Sequence, residues 1–165
     1  MGEAENEVQN EEVEVEETEE VEVEVEVEVP QTKDGKPKLW SWGTGRRKAS
    51  IVRVRIRAGN GQVVVNKKPL EDYFRVERHR GKAMLPLKTA NLEGKVDVYA
   101  NCSGGGITGQ SDAMLMGLAR ALVDFDPSVE PAMRQAGHLT RDARRVERKK
   151  YGQAGARRRF QYSKR

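Results

Sequence analysis

The chain has 165 residues with 30 Lys and Arg against 26 Asp and Glu, a length suited to one domain of ordinary size. Its charge is segregated: residues 1–30 hold fourteen Glu and no Asp, Lys or Arg, a net −14, while all thirty basic residues and the other twelve acids fall in 31–165, a net +18. No apolar run approaches the roughly 18 residues of a membrane span, an acid-rich start is unlike a targeting leader, and the single cysteine, Cys102, excludes an internal disulfide and fits a reducing compartment.

Glu and Val alternate strictly from Glu20 to Val29. A strand there would stack glutamates on one face with no cation to meet them, and fourteen like charges without an aromatic cannot offset the entropy of ordering. Residues 1–37 are therefore expected to be a disordered acidic arm and linker, the linker marked by Pro30 and by Asp34-Gly35-Lys36-Pro37.

A globular body is expected over 38–136. Leu39-Trp40-Ser41-Trp42 reads as a first strand, and Trp40 and Trp42, two apart, are expected to point the same way, towards packing rather than towards a base. Ile51 to Arg57 alternates apolar and basic residues, the signature of a half-buried strand. Val52, Val54 and Ile56 would face a core, with Arg53, Arg55 and Arg57 on the other side. Gly59-Asn60-Gly61 reads as the turn of a hairpin whose second strand is Gln62 to Asn66. A short helix opening at Pro69, a mainly helical stretch from Val76 to Leu92 interrupted or restarted at Pro86 and ended by Gly94, and a strand from Val96 to Cys102 follow. Leu115, Leu118, Ala119 and Leu122 give a helical stripe from Gln110 to Phe125, which Asp126-Pro127 closes. A last short helix spans Ser128 to Ala136.

Residues 137–165 form a different kind of segment. The last 33 residues carry twelve Lys and Arg against two acids, with few apolar side chains. Such a segment repels itself and is expected to be an extended basic tail that settles on a polyanion. Tyr151, Phe160 and Tyr162 in it could stack on unpaired bases or anchor the tail on the body.

Enzyme chemistry finds little support. His79 stands between Arg78 and Arg80, His138 borders the tail, and both read as surface or contact residues, while Cys102 at a strand end reads as a small buried hydrophobe. Cys102, His79 and His138 do not make a zinc set without carboxylate help, so neither metal nor cofactor is expected. Gly43-Thr44-Gly45-Arg46-Arg47-Lys48 lacks the spacing of a phosphate loop. Gly104-Gly105-Gly106-Ile107-Thr108-Gly109 lies between strand and helix, where backbone amides can meet an anion or simply make a tight turn. Arg46 to Ser50 also matches a basophilic kinase target, a pattern common by chance. Polyanion binding accounts for more: Arg46, Arg47 and Lys48 are expected beside Arg53, Arg55 and Arg57, six cations on one side of the sheet, and guanidinium forks suit phosphate oxygens. No base-reading helix, zinc finger or basic zipper is visible, which favours folded RNA read through shape and phosphates.

Several stretches resemble one family, the ninth protein of the small ribosomal subunit, bacterial type. They are Gly43 to Lys48, Val65-Asn66 with Tyr73-Phe74, Gly104-Gly105-Gly106 with Gly109-Gln110, and Ala119-Arg120-Ala121-Leu122. The strongest are Leu139-Thr140-Arg141-Asp142, Val146 to Gly152 and Ala156 to Arg165. The resemblance implies an α+β fold like the second domain of ribosomal protein five, a four-stranded sheet with helices on one face and a left-handed crossover. It implies a non-enzymatic, cytoplasmic ribosomal constituent, monomeric within the particle and away from membranes. Its partners would be small-subunit ribosomal RNA, peptidyl-site transfer RNA and neighbouring proteins of the subunit head. Ribosomal RNA would be bound by Arg46, Arg47, Lys48, Arg53, Arg55 and Arg57 of the body and by Arg141, Arg144, Arg145, Arg148, Lys149, Lys150, Arg157, Arg158 and Arg159 of the tail. The transfer RNA contact would fall to Ser163, Lys164 and Arg165. Family members often place a basic or histidine-containing pair before Gly117, where this chain has Leu115-Met116, and the acidic arm has no counterpart in the family core. The alternative is an RNA-binding or RNA-chaperone protein outside the ribosome, regulated by its acidic arm. An arm at −14 facing +18 is expected to fold back on the basic surface and yield to RNA.

Overall fold

The computed structural model describes residues 39–164. The expected disordered arm and linker (1–37), Lys38 and the terminal Arg165 lie outside the described residues. Five strands form one mixed sheet: β1 (Ser41–Arg47), β2 (Ser50–Ala58), β3 (Val63–Val65), β4 (Lys68–Pro69) and β5 (Val96–Ser103), in the order β1-β2-β5-β3-β4. The helices are α1 (Leu70–Tyr73), α2 (Glu77–Ala90), α3 (Ile107–Phe125) and α4 (Glu130–Gln135), with a 3-10 turn at Pro127–Val129 before the last.

The α+β expectation holds, with five strands where four were expected. The extra strand is the two-residue β4, made possible by Asn66 and Lys67, both at positive φ, which form the tight reverse turn of a two-residue hairpin. The expected β2–β3 hairpin is absent. β2 instead pairs with β1 across the turn Lys48-Ala49, and on its other side with β5, which separates it from β3. β3 runs parallel to β5. Asp97 on β5 holds the connection from β2 to β3 through its carboxylate, which accepts from the backbone N–H groups of Asn60 and Gln62 at 3.1 Å each.

β2 alternates as its sequence predicts. Val52, Val54 and Ile56 are fully buried, each worth about 1.5–3 kcal/mol relative to exposure, while Ile51, Arg53, Arg55 and Arg57 are exposed. α3 covers the buried face and begins at Ile107, three residues before the expected start. Its Met114, Leu118 and Leu122 are fully buried, and it lies closest to β1, where Gly43 and Gly45 meet Gly117 and Ala121 backbone to backbone. α3 also finishes the outer edge of β1: Arg120 Nη1 donates to Thr44 O at 2.7 Å, and Asp124 Oδ2 accepts from the Trp42 N–H at 3.1 Å. Backbone groups left open there would offer a pairing edge to another chain.

α2 runs through Pro86 without interruption and stops at Asn91, whose φ of +55° makes the left-handed cap. Gly94 falls in the following turn. His138, expected as a surface or contact residue, is a buried contact beneath α2, with Nε2 3.1 Å from Thr89 Oγ1. The Thr89 hydroxyl donates to Leu85 O, so its oxygen accepts from the neutral imidazole. Burial holds His138 below its ordinary value of 6.5. The unfolded chain therefore takes up a proton first on acidification, and fold stability present above about pH 6.5 is lost as pH falls towards the folded value. Thermal melts should show Tm declining from about pH 7 to 5.5, and His138→Gln should flatten that decline. Parallel profiles for the two proteins would contradict this.

Candidate nucleic-acid interface

β1, β2 and β5 place alternate side chains on the sheet face that α3 leaves uncovered. Strand register sets them in rungs: Trp42 opposite Arg55 and Arg55 opposite Tyr99, then Thr44, Arg53 and Asn101. Two guanidiniums pack against aromatic rings here. Arg55 Cζ lies 4.8 Å from the Trp40 ring centre and 5.4 Å from that of Tyr99, with Arg57 slightly farther from both. Cation–π contacts of this kind hold flexible side chains in place. Trp40 and Trp42 therefore belong to the arginine face and not to the core, and Trp42 is 57% exposed.

The six expected cations do not share one surface. Arg46, Arg53, Arg55 and Arg57 do; Lys48 sits in the hairpin turn at φ +52°; Arg47 points to the opposite side. Adjacent strand residues face opposite ways. Arg57 is engaged by Asp97, Nε to Oδ2 at 3.1 Å. Burial works against the Asp97 charge, but the Gln62 N–H, Arg57 and the Asn60 N–H together lower its pKa. Among the described residues no carboxylate is within ion-pair distance of Arg46, Arg53 or Arg55. Those three, with Lys67 beside the same strands, are the cations the face offers without a carboxylate partner among the described residues.

Arg47 has a different task, which its sequence context did not reveal. Its guanidinium meets Asp112 of α3 at 3.5 Å and Asp142 at 2.9 Å, and Nη1 donates to the carbonyl of Arg144 at 2.7 Å. Lys82 of α2 meets the other Asp112 oxygen at 2.6 Å. Arg47 thus clasps the root of the tail to the body. Both N–H groups of Arg144, side chain and backbone, aided by Arg47, hold the Asp142 carboxyl far below the usual carboxylate range. Arg47→Gln should release residues 140–146, speeding tryptic cleavage after Arg141, Arg144 and Arg145 by about three- to tenfold. Arg53→Gln, on the other face, should leave that rate unchanged. Equal rates for all three proteins would contradict the clasp.

Beyond Leu139, which still packs on the core, the described tail has no helix or strand. Arg141, Arg145, Arg148, Lys149, Arg158, Arg159, Ser163 and Lys164 are all solvent-exposed or nearly so. Glu147 pairs with Lys150 at 2.8 Å and Arg157 at 3.0 Å, closing one loop in the tail. Tyr151 is 96% and Tyr162 98% exposed, and Phe160 is also exposed. None of these rings anchors the tail on the body.

The glycine run reads as a tight turn. Gly104 and Gly105 have positive φ, and a Cβ on Gly105 would fall on the Ser50 hydroxyl. Ser50 itself is buried, so the kinase-like pattern ends on an inaccessible hydroxyl. Cys102 is buried and its thiol is pushed up to about 12 by that burial, which makes it inert. A polar chain joins the remaining shared motifs. Asn66 pairs with the backbone of Cys102 through two hydrogen bonds, at 2.8 and 2.9 Å, and donates to Tyr73. Tyr73 donates to Gln110, which donates to Gly104 O. These residues fix the end of β5 against the start of α3.

An α+β domain with guanidiniums on its uncovered sheet face and a long exposed basic tail defines an RNA-binding class of protein. A family model described as ribosomal protein S9/S16 matches residues 45–165. The small ribosomal subunit protein uS9 of Chlorobaculum parvum is 52% identical over 107 residues, covering 65% of this chain and 83% of that protein. The proteins of the same name from Anaeromyxobacter sp. (strain K) and Maridesulfovibrio salexigens are 47% and 49% identical over 113 residues, 68% of this chain and 87% of each. The chain belongs to the S9 family, in its bacterial form.

Proposed function

We propose that the chain is a structural constituent of the small ribosomal subunit, monomeric within it and acting in translation without a chemical step. It seats on ribosomal RNA of the subunit head beside neighbouring ribosomal proteins. Arg46, Lys48, Arg53 and Arg55 of the body and the tail cations from Arg141 to Arg159 neutralise phosphates. Ser163, Lys164 and Arg165 reach transfer RNA in the peptidyl site. Arg47 and Arg57 serve mainly by holding the tail root and the sheet face in shape. The observation that carries this reading is the pairing, in a member of this family, of an uncovered cationic sheet face with an exposed basic tail.

The proposal divides the chain into an acidic arm with its linker (1–37), an RNA-binding body (38–136) and a basic tail (137–165), whose first residues still pack on the body. It includes the likeness to the second domain of ribosomal protein five with its left-handed crossover; the parallel β3–β5 pair supports a crossover connection between those strands.

Membership of the particle predicts near-stoichiometric co-sedimentation with small subunits after a moderate salt wash. A chain left in the supernatant favours the free RNA-binding alternative. Deleting Lys164 and Arg165 should leave assembly intact and weaken transfer RNA retention by roughly tenfold, the worth of one or two charge-assisted contacts. Unchanged retention would remove the assignment of the tip.

A further inference from the structure

We propose that the uncovered sheet face holds one unpaired nucleotide, its base stacked on the indole of Trp42 and its phosphate met by Arg53 and Lys67. This rests on the RNA-binding reading above and specifies which form of RNA the face selects.

A groove of about 250 Å³ on this face is lined by Trp42, Arg53, Arg55, Lys67, Tyr99 and Asn101, among others. That is slightly smaller than the roughly 300 Å³ at which pockets for drug-sized ligands begin, so it suits a single base. The two tryptophans differ in their surroundings. Trp40 is committed: its ring meets Tyr99 edge to face at 5.6 Å, and Arg55 and Arg57 pack on it. Trp42 has no ring or guanidinium packed on it among the described residues, and it is more than half exposed. Its backbone is held in place by the strand, with the main-chain N–H donating to Asp124. A large flat apolar surface is thus presented on a rigid strand beside cations.

The ligand chemistry follows from what those groups can do together. Arg53 has no carboxylate partner among the described residues, and Lys67 at the rim of the groove likewise has none, so both attract an anion. The Asn101 amide offers both a donor and an acceptor for the edge of a base. A duplex hides the faces of its bases in its own stack, and only an unpaired base can lay its ring on Trp42. Base–aromatic stacking is worth about 1–3 kcal/mol and is indifferent to sequence. An acidic protein segment would satisfy the cations but leave the indole without a planar partner.

The full chain carrying Trp40→Phe retains Trp42 as its one indole and serves as the reporter. Adding a short single-stranded uridine oligomer should quench its fluorescence saturably, and an RNA duplex of equal length should bind with little quenching. In the otherwise unaltered chain, Trp42→Ala should weaken binding of the single strand by about 5- to 150-fold and leave duplex binding within about twofold. Trp42→Phe, which keeps a ring and serves as the folding control, should retain most of the single-strand affinity. If Trp42→Ala lowers both affinities equally, or the oligomer binds without quenching, the nucleotide site is refuted while RNA binding stands. If neither RNA binds the unaltered chain, both readings fail.

Discussion

Gly45→Ala should destabilise the body by about 4 kcal/mol or more, a large part of the 5–15 kcal/mol that holds a domain of this size together. A Cβ on Gly45 would lie far inside van der Waals contact distance of the Ala113 carbonyl oxygen and 2.6 Å from the Gly117 amide nitrogen. Both are backbone atoms of α3, so no rotamer change relieves the overlap. The helix must lift from β1, and the contacts of Met114, Leu118 and Leu122 in the core open with it. Overpacking usually costs about 1–3 kcal/mol where side chains can shift; here the backbone itself must move. A change of that size lowers Tm by upward of about 15 °C in a body of this length. Gly81 on α2 supplies the contrast, because nothing lies within 4 Å of a Cβ built there. Gly81→Ala should stabilise by about 0.5–1 kcal/mol through helix propensity. A Gly45→Ala protein melting within about 2 °C of the parent would show that α3 does not seat on β1 in this way.

Deleting residues 140–165 should lower RNA affinity by about a hundredfold or more near physiological salt, with the body still folded. The deletion removes eleven Lys and Arg. Three of them, Arg144, Lys150 and Arg157, are paired with Asp142 or Glu147, which leaves eight to neutralise phosphates. The core residues His138 and Leu139 remain, so the loss is one of contact and not of fold. Circular dichroism of the deleted chain should match the body's helix and strand content. An affinity within about threefold of the full chain would place the binding on the sheet face alone.

What the sequence disclosed followed from periodicity, and what it concealed followed from pairing. Val52, Val54 and Ile56 announce a buried face because side chains alternate along a strand. The same rule applied to β5 would have set Tyr99 and Asn101 beside the arginines, since they alternate with Val98, Ala100 and Cys102. Periodicity does not say which strand lies next to which. The insertion of β5 between β2 and β3 is a long-range pairing that the Gly59-Asn60-Gly61 turn does not contain. The side of Arg47 is hidden because the strand expected from the sequence, Leu39 to Trp42, stops short of Gly43 and Gly45, whereas β1 runs from Ser41 to Arg47. Once Gly43 and Gly45 are seen to face α3, Arg47 must follow them, and Asp112 and Asp142 become its partners. Pro86 signals an interruption or restart of the helix, yet its ring is buried in α2, where packing outweighs the lost backbone hydrogen bond. Spacing puts the two tryptophans on one face but does not say which, and the arginines across the strand supply the contacts that decide it.

The most direct test is the salt dependence of RNA binding for the full and the tail-deleted chains, measured on one structured RNA. Eight neutralised phosphates predict that the two log–log slopes differ by about 6 to 7, leaving the sheet face a slope of about −2 to −3. Slopes that differ by about 1 or less would contradict the account, because the tail would then not be where the chain meets its polyanion.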